Sequence, residues 1–320
     1  MTAPGDRRAS TDRVPAPLLV LVAIASVQLG SAVARTVFDV TGANGITLLR
    51  LGLSALVLVL VVRPRVRRWS REQLGAAALL GLTMGAMNIA FYLSIRTVPL
   101  GVAVTVEFVG PLLVALVQSR RFSDFVWVLL AASGVVLLGA DGSSDVPLGG
   151  LALALLAGLF WGGYILASAR VGRLVPGIDG LAVALVIAAA LALPFGADGA
   201  TSALTDPLVL GVGLAVALLS SVVPYGLELA ALRRIPTRVF GILMSLEPAA
   251  AALAGLAVLQ QRLSARELVA LVLVSLASLG VTLGRTEGQP PVAPLEWARP
   301  LVGGEHDAPD ESTGGAAHPP

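Results

Sequence analysis

Four ionisable side chains interrupt long apolar stretches of this sequence. Glu107, Glu228 and Glu247 are acidic, and Arg50 is basic. If these stretches cross a membrane, a charge at the bilayer centre costs roughly 2.5 to 3.5 kcal/mol on insertion scales, so the four residues should face a cavity or one another. A buried carboxyl group can bind an ammonium or carry a proton, and a guanidinium can bind a carboxylate with its planar fork.

Two of the acids lie beside prolines that are expected to kink their helices, Pro111 and Pro248. Pro111 cannot donate the hydrogen bond that the carbonyl of Glu107 would otherwise receive, so a carboxyl group and a free carbonyl share one place. Glu247 directly precedes Pro248. Either acid could bind a substrate ammonium or carry a proton, or it could close a kinked helix by hydrogen bonding. The first interpretation is favoured for Glu107, and both stay open for Glu247.

Arg50 and Glu228 lie nearer to the ends of their predicted helices. Arg50 could bind a substrate carboxylate, but snorkelling to the interface or an ion pair with a helix neighbour is favoured. Glu228 lies within two turns of Arg233 and Arg234. A tethering salt bridge and a role in a binding site are therefore equally supported for Glu228.

Uncharged polar and aromatic residues within the apolar stretches form a second group of candidates. They could line a polar path or stack against a ligand, although such residues more often join helices. The group comprises Gln28, Asn88, Tyr92, Trp161, Tyr164 and Tyr225. The spacings Gly81-x-x-x-Gly85 and Gly158-x-x-x-Gly162 favour close helix packing without indicating a particular partner.

The composition excludes several other chemistries. The chain has no cysteine, and its two histidines, His306 and His318, lie in a polar C-terminal segment. Thiolate chemistry is therefore excluded, and no imidazole is placed to act within the membrane. Motifs of nucleotide-driven pumps, zinc peptidases and serine hydrolases are also missing from the sequence. We expect no enzyme, no metal and no cofactor, so any energy source must be an ion gradient.

The apolar stretches themselves predict membrane-spanning helices. The chain is 56% hydrophobic and 13% charged, which is too apolar for the surface of a water-soluble domain. Stretches of about twenty residues match the thickness of the hydrocarbon core at about 1.5 Å per helical residue. The predicted spans are 15–34, 43–62, 73–95, 98–118, 124–140, 148–169, 178–196, 208–232, 237–259 and 267–284.

Arginine placement predicts the orientation of these spans. All 22 basic residues are arginine, and an N-terminus in the cytoplasm places 17 of them in cytoplasmic segments and four outside. Residues 1–14 are then a cytoplasmic tail, and residues 286–320, too poor in apolar side chains to form a core, are a disordered cytoplasmic tail of a multi-pass inner-membrane protein. Nucleic-acid binding is not expected, because the arginines lie mainly in loops between helices.

An internal repeat supports this arrangement. Three landmarks recur 137 residues further along the chain, where Arg96, Pro99 and Pro111 correspond to Arg233, Pro236 and Pro248. This shift equals five predicted helices, an odd number, so the two halves cross the membrane in opposite directions. The sequence therefore predicts an all-α membrane protein of ten transmembrane helices in two inverted repeats, 15–140 and 148–285, with a substrate site between them near the midplane.

The same stretches resemble the drug/metabolite transporter superfamily, which is built from two five-helix EamA repeats, and within it the threonine/homoserine exporters. The resemblance is carried by residues 99–111 (PLGVAVTVEFVGP), by Arg120-Arg121, and by residues 236–248 (PTRVFGILMSLEP). One departure is the pair Gln260-Gln261, which stands where such repeats usually carry Gly-Glu. A charge at that helix end is therefore missing.

The resemblance implies export of small amino acids, similar to threonine or homoserine, by proton antiport. Export of other metabolites or drugs is an alternative, because fold does not settle substrate. A non-transporting scaffold is another, although inverted repeats argue against it. The expected partners are a small amino acid, protons and membrane lipid, and a homodimer is left open.

Overall fold

The computed structural model of this 320-residue chain describes residues 14–118, 122–139, 146–175, 178–232, 234–235 and 237–284. These residues form helices joined by short turns, and no strand occurs among them. The predicted tails lie outside the described residues except for Val14, as do Arg120 and Arg121.

The first half of the chain contributes six helices. They are α1 (Ala16–Arg35), α2 (Phe38–Val62), α3 (Arg71–Ser94), α4 (Leu100–Glu107), α5 (Val109–Gln118) and α6 (Phe122–Gly139). The second half contributes eight. They are α7 (Leu148–Leu174), α8 (Asp179–Ala200), α9 (Ser202–Thr205), α10 (Pro207–Ala217), α11 (Val223–Leu232), α12 (Thr237–Met244), α13 (Glu247–Leu259) and α14 (Ala265–Gly284).

Within the described ranges, eight helical segments are long and apolar enough to cross a membrane, counting α4 with α5 and α12 with α13 as one segment each. Two shorter apolar segments, Phe125–Gly139 and Pro207–Val222, accompany them. The outer surface exposes large apolar side chains such as Val61, Phe195 and Leu253. Such a surface suits contact with lipid, whereas a water-soluble protein rarely exposes so much apolar area.

Four of the helical segments are interrupted, and each interruption has a local cause. In α2, Gly42 has φ 65° and ψ 166°, so residues 38–41 form a short helical turn before the main helix, which explains why the predicted span begins at 43. The predicted helix 98–118 breaks at Phe108, three residues before Pro111. The predicted helix 237–259 breaks at residues 245–246, just before Pro248. A proline within a helix removes a donor and crowds the preceding turn.

The fourth interruption is a π-helical segment at residues 218–222, between α10 and α11. Pro224 follows this segment and has no N–H to donate. The missing donor would have served the carbonyl of Ser220, four residues before, in an α register, or that of Leu219, five residues before, in a π register. A π segment of this kind is frequently found at functional sites.

Glycines allow two pairs of helices to approach closely. An added Cβ at Gly158 or Gly110 would collide with the facing backbone, so the middle of α7 lies against the α4–α5 break. An added Cβ at Gly81 or Gly85 would meet α8 at about 3 Å or less. Both Gly-x-x-x-Gly spacings noted in the sequence thus lie at close helix contacts.

Candidate functional site

The interior of the molecule brings together the four ionisable residues singled out in the sequence. Glu107 is the last residue of α4, Glu247 the first of α13, Glu228 lies in α11 and Arg50 in α2. The three acids are only 8–9% exposed. Glu107 lies within electrostatic range of Glu247 and Arg50, and Glu228 within range of Glu247. Residues from both halves of the chain therefore form one buried charged cluster.

Glu247 is joined to α1 by a hydrogen bond. Gln28 Nε2 donates to Glu247 Oε1 at 3.3 Å, and both side chains are buried. Oε2 of Glu247 and Oε1 of Gln28 are fully buried and have no hydrogen-bond partner among the described residues. A buried acceptor without a donor costs about 1–3 kcal/mol, so two such atoms on hydrogen-bonded neighbours indicate a place for a ligand that donates hydrogen bonds.

Glu107 lies at the break between α4 and α5. Its carbonyl, which Pro111 leaves without a helical donor, faces the backbone of Gly158 in α7. Across the break, the ring of Phe108 meets Trp161 edge-on, with ring centroids 5.1 Å apart. Among the described residues no hydrogen bond to the Glu107 carboxyl group is found, so its oxygens are available to a ligand or a proton.

Arg50 points into the protein. Its Nη1 donates to the hydroxyl of Tyr92 at 3.3 Å and its Nη2 to the carbonyl of Ser220 at 3.2 Å. The Nε atom is buried, and no described residue accepts a hydrogen bond from it. Neither snorkelling nor an ion pair with a neighbouring helix residue, the roles favoured from the sequence, is observed in the described part of the chain.

The π segment supplies contacts that sequence reasoning missed. Ser26 of α1 donates to the carbonyl of Leu219 at 2.7 Å, beside the Ser220 carbonyl that receives Arg50. Pro224 has no N–H to offer to either of these carbonyls. Ser54 of α2 also donates to Ser221 at 3.1 Å. The signal in the sequence was Pro224, but the sequence alone does not show which side chains reach the freed carbonyls.

The other candidates have varied positions. Asn88 is buried and donates to the carbonyl of Met84 in its own helix at 2.9 Å. The side chain of Tyr225 lies outside the described residues, as does Arg233. Arg234, the second arginine considered as a tether for Glu228, donates to the carbonyl of Val14 at 3.2 Å.

Glu267 is a further buried acid, and sequence reasoning did not single it out. It is 7% exposed and accepts a hydrogen bond from the backbone of Ser264 at 2.6 Å, while the Ser264 hydroxyl accepts from the backbone of Glu267. This reciprocal pair is a capping box at the start of α14, and its signal was the spacing Ser-x-x-Glu. A buried acid in this protein can thus have a structural role, unlike the cluster acids with unpaired oxygens.

The two residues of the Gln260-Gln261 pair have different structural roles. Gln260 ends α13 in the left-handed conformation, with φ 56° and ψ 26°. Gln261 Oε1 accepts a hydrogen bond of 2.9 Å from the backbone N–H of Leu100, the first residue of α4. A neutral side chain therefore satisfies a free donor at the start of the helix that ends at Glu107.

Comparisons with known proteins find close relatives of this chain. The model of the EamA-like transporter family matches residues 148–283. The threonine/homoserine exporter RhtA of Salmonella typhimurium strain SL1344 is 47% identical over 280 residues, which are 86% of this chain and 94% of the relative. RhtA of Escherichia coli strain K12 is 47% identical over 283 residues, which are 88% of this chain and 95% of the relative.

This chain belongs to the EamA-like transporter family. The predicted resemblance to the drug/metabolite transporter superfamily is thereby confirmed, and the chain is a multi-pass membrane transporter rather than an enzyme. A solved crystal structure aligns with 84% of this chain and 97% of its own at 17% identity, with a TM-score of 0.48.

The conformation of Gln260 predicts a gain in stability from glycine. A non-glycine residue in the left-handed region costs roughly 1–2 kcal/mol, so Gln260→Gly should raise the apparent melting temperature of the purified protein in detergent, whereas Gln260→Ala should not. Gln261→Leu removes the acceptor for the backbone N–H of Leu100, so it should reduce stability by about 1 kcal/mol and lower the melting temperature. Gln261→Glu keeps the acceptor. Equal melting temperatures for Gln260→Gly and Gln260→Ala would contradict this interpretation.

Proposed function

We propose that this protein exports small amino acids of the threonine and homoserine type from the cytoplasm in exchange for protons, through the charged cluster between its two halves. The observation that carries the proposal is the pair of buried acceptors on Glu247 and Gln28 beside the carboxyl group of Glu107. The relatives named threonine/homoserine exporters support the substrate class.

The architecture that we propose has ten spans in two inverted repeats, 15–140 and 148–285. The spans, numbered along the chain, are α1, α2, α3, α4–α5, α6, α7, α8, α10–α11, α12–α13 and α14. Length and composition alone identify eight of these ten spans, and the other two contain the shorter apolar helices α6 and α10. We count α10 and α11 as one span because α10 continues through the π segment into α11. The breaks in spans four and nine, at Phe108 and Ser245, are separated by the same 137 residues as Pro111 and Pro248.

Helix packing supports a two-fold relation between the halves. Span 3 packs on spans 6 and 7, and correspondingly span 8 packs on spans 1 and 2. Span 4 packs on span 6, and span 9 on span 1. Spans 2 and 7, spans 4 and 9, and spans 5 and 10 also pack on each other, and each of these contacts is unchanged when the two halves are exchanged. Exchanging every span with the one five places away therefore reproduces these contacts, as expected for repeats of an alternating-access transporter.

An amino-acid ammonium matches the acid side of the cluster. It carries three N–H donors and a positive charge, whereas the unpaired atoms there, Glu247 Oε2 and Gln28 Oε1, are acceptors. Glu107 adds a further carboxyl group within electrostatic range of Glu247. In a non-transporting scaffold that binds no ligand, these buried acceptors would have no donor, which argues against the scaffold alternative.

Proton coupling follows if one carboxyl group receives either a proton or the ammonium. Both neutralise the negative charge of Glu107, so occupancy by one weakens binding of the other. Binding of substrate on the cytoplasmic side and of a proton on the outer side would then drive exchange. We assign this role to Glu107 because its carboxyl group is buried at the helix break and accepts no hydrogen bond from the described residues.

The proposed orientation puts both termini and the loop between α2 and α3 in the cytoplasm, and it can be tested by labelling, because the chain has no native cysteine. Single cysteines at Val66, Thr97 and Gln260 leave the arginine distribution unchanged. In intact cells of a bacterial host, a membrane-impermeant maleimide should label Thr97→Cys and Gln260→Cys, and should label Val66→Cys only after permeabilisation. Labelling of Thr97→Cys without Gln260→Cys in intact cells would contradict ten spans.

Loss of titration at Glu107 should abolish coupling. In proteoliposomes loaded with radiolabelled threonine, the wild type should release substrate at least tenfold faster under an inward proton gradient, whereas Glu107→Gln should lose this acceleration. Glu247→Gln should have a milder effect if Glu247 serves helix closure.

Glu267→Gln is the matched control for this experiment. It neutralises an equally buried acid whose acceptor role an amide can keep, so its transport should resemble that of the wild type. If Glu107→Gln transported at the normal rate with the normal dependence on the gradient, the carboxyl group would be structural and the proton site would lie at Glu247 or Glu228.

A further inference from the structure

We propose that Arg50 is the group that recognises the substrate's carboxylate, and that the transporter therefore discriminates strongly against ligands in which this carboxylate is replaced by an amide or an alcohol. This inference rests on the proposed function, because it assigns the second half of the same binding site.

Arg50 has more donors than the protein satisfies. A guanidinium offers five N–H groups, yet its described partners are one hydroxyl at 3.3 Å and one carbonyl at 3.2 Å, both neutral. Bonds between a guanidinium and a carboxylate are typically about 2.7–2.9 Å and roughly twice as strong. Nε is buried and has no partner among the described residues. A carboxylate binding across Nε and Nη2 would satisfy Nε and use one N–H of Nη2, while the other N–H of Nη2 keeps the bond to Ser220.

Tyr92 and the π segment hold the guanidinium in this inward position. Tyr92 is fully buried, its ring centroid lies 5.6 Å from Cζ of Arg50, and the rings of Phe38 and Phe91 pack around it. The contact combines a hydrogen bond with a cation–π interaction. Tyr92 is thus a positioning residue that prevents the arginine from extending toward the interface.

The charges of the cluster match those of a zwitterion. Arg50 lies within electrostatic range of Glu107 without forming an ion pair, while Glu107 also interacts with Glu247. A molecule with a carboxylate at one end and an ammonium at the other can therefore meet an opposite charge at each end. An amine that lacks the carboxylate would leave the half-buried guanidinium without a directly bonded counter-ion, which is costly.

The test compares ligands on the purified full-length protein by isothermal titration calorimetry. Wild type should bind threonine at least tenfold more tightly than threonine amide or threoninol, which keep the ammonium and the side chain. Arg50→Gln should weaken threonine binding by at least tenfold and bring threonine and its amide to within about twofold of each other. Tyr92→Phe keeps the ring but removes the hydroxyl, so it should weaken threonine about two- to fivefold and leave the amide unchanged.

Arg170→Gln is the control, because Arg170 is an exposed arginine paired with Glu72 and should leave the preference for threonine intact. If Arg50→Gln does not fold, Arg50→Lys, which keeps the charge but loses the fork, should reduce the preference. Equal binding of threonine and its amide by the wild type, or an unchanged preference in either Arg50 variant, would overturn the role of Arg50 while leaving amino-acid export in place. Failure of the wild type to bind any of the three ligands would overturn the proposed function as well.

Discussion

Burying a polar group that has no hydrogen-bond partner costs free energy, and the interior of this protein is arranged around that cost. In a bilayer each backbone N–H and C=O must be satisfied within the protein, and prolines inside spanning helices remove donors. Pro224 offers no donor to the carbonyls of Leu219 and Ser220, and side chains from α1 and α2 donate to both. Pro111 has the same effect at Glu107. Helix breaks that would cost free energy in an isolated spanning helix thus create polar positions, and the charged residues lie at these positions.

Close packing of backbones brings helices together at these polar positions. The carbonyl of Glu107 faces Gly158, and Ser220 lies against Gly30, where an added Cβ would collide with its hydroxyl. Near them, Glu247 Oε2 is buried and has no hydrogen-bond partner among the described residues. In the proposed mechanism a small molecule that carries both charges supplies the missing donor.

Much of the helical framework could be predicted from the sequence, because twenty-residue apolar stretches and proline positions carry direct physical consequences. The free-energy cost of a charge inside the membrane also identified Glu107, Glu247 and Arg50 as unusual. Their mutual arrangement could not be predicted. Arg50 was expected to snorkel or to form an ion pair with a helix neighbour, but its partners are Tyr92 and a carbonyl 170 residues later, in the π segment.

Two further sites show where sequence reasoning lacked information. The capping role of Glu267 follows from local spacing and could have been read directly. The role of Gln261 could not, because its partner Leu100 is 161 residues away and belongs to the other half of the chain. Local hydrogen bonds are thus accessible from sequence, whereas contacts between repeats require the fold.

In the proposed mechanism a proton and the substrate compete for the carboxyl group of Glu107. This competition can be measured as proton release when threonine is added to the purified protein in weakly buffered solution, followed with a pH indicator. Competition predicts release of up to about one proton per bound substrate, with a maximum at the pH where the free site is protonated, and no release from Glu107→Gln. Threonine binding without proton release at any pH, or an unchanged release from Glu107→Gln, would contradict it.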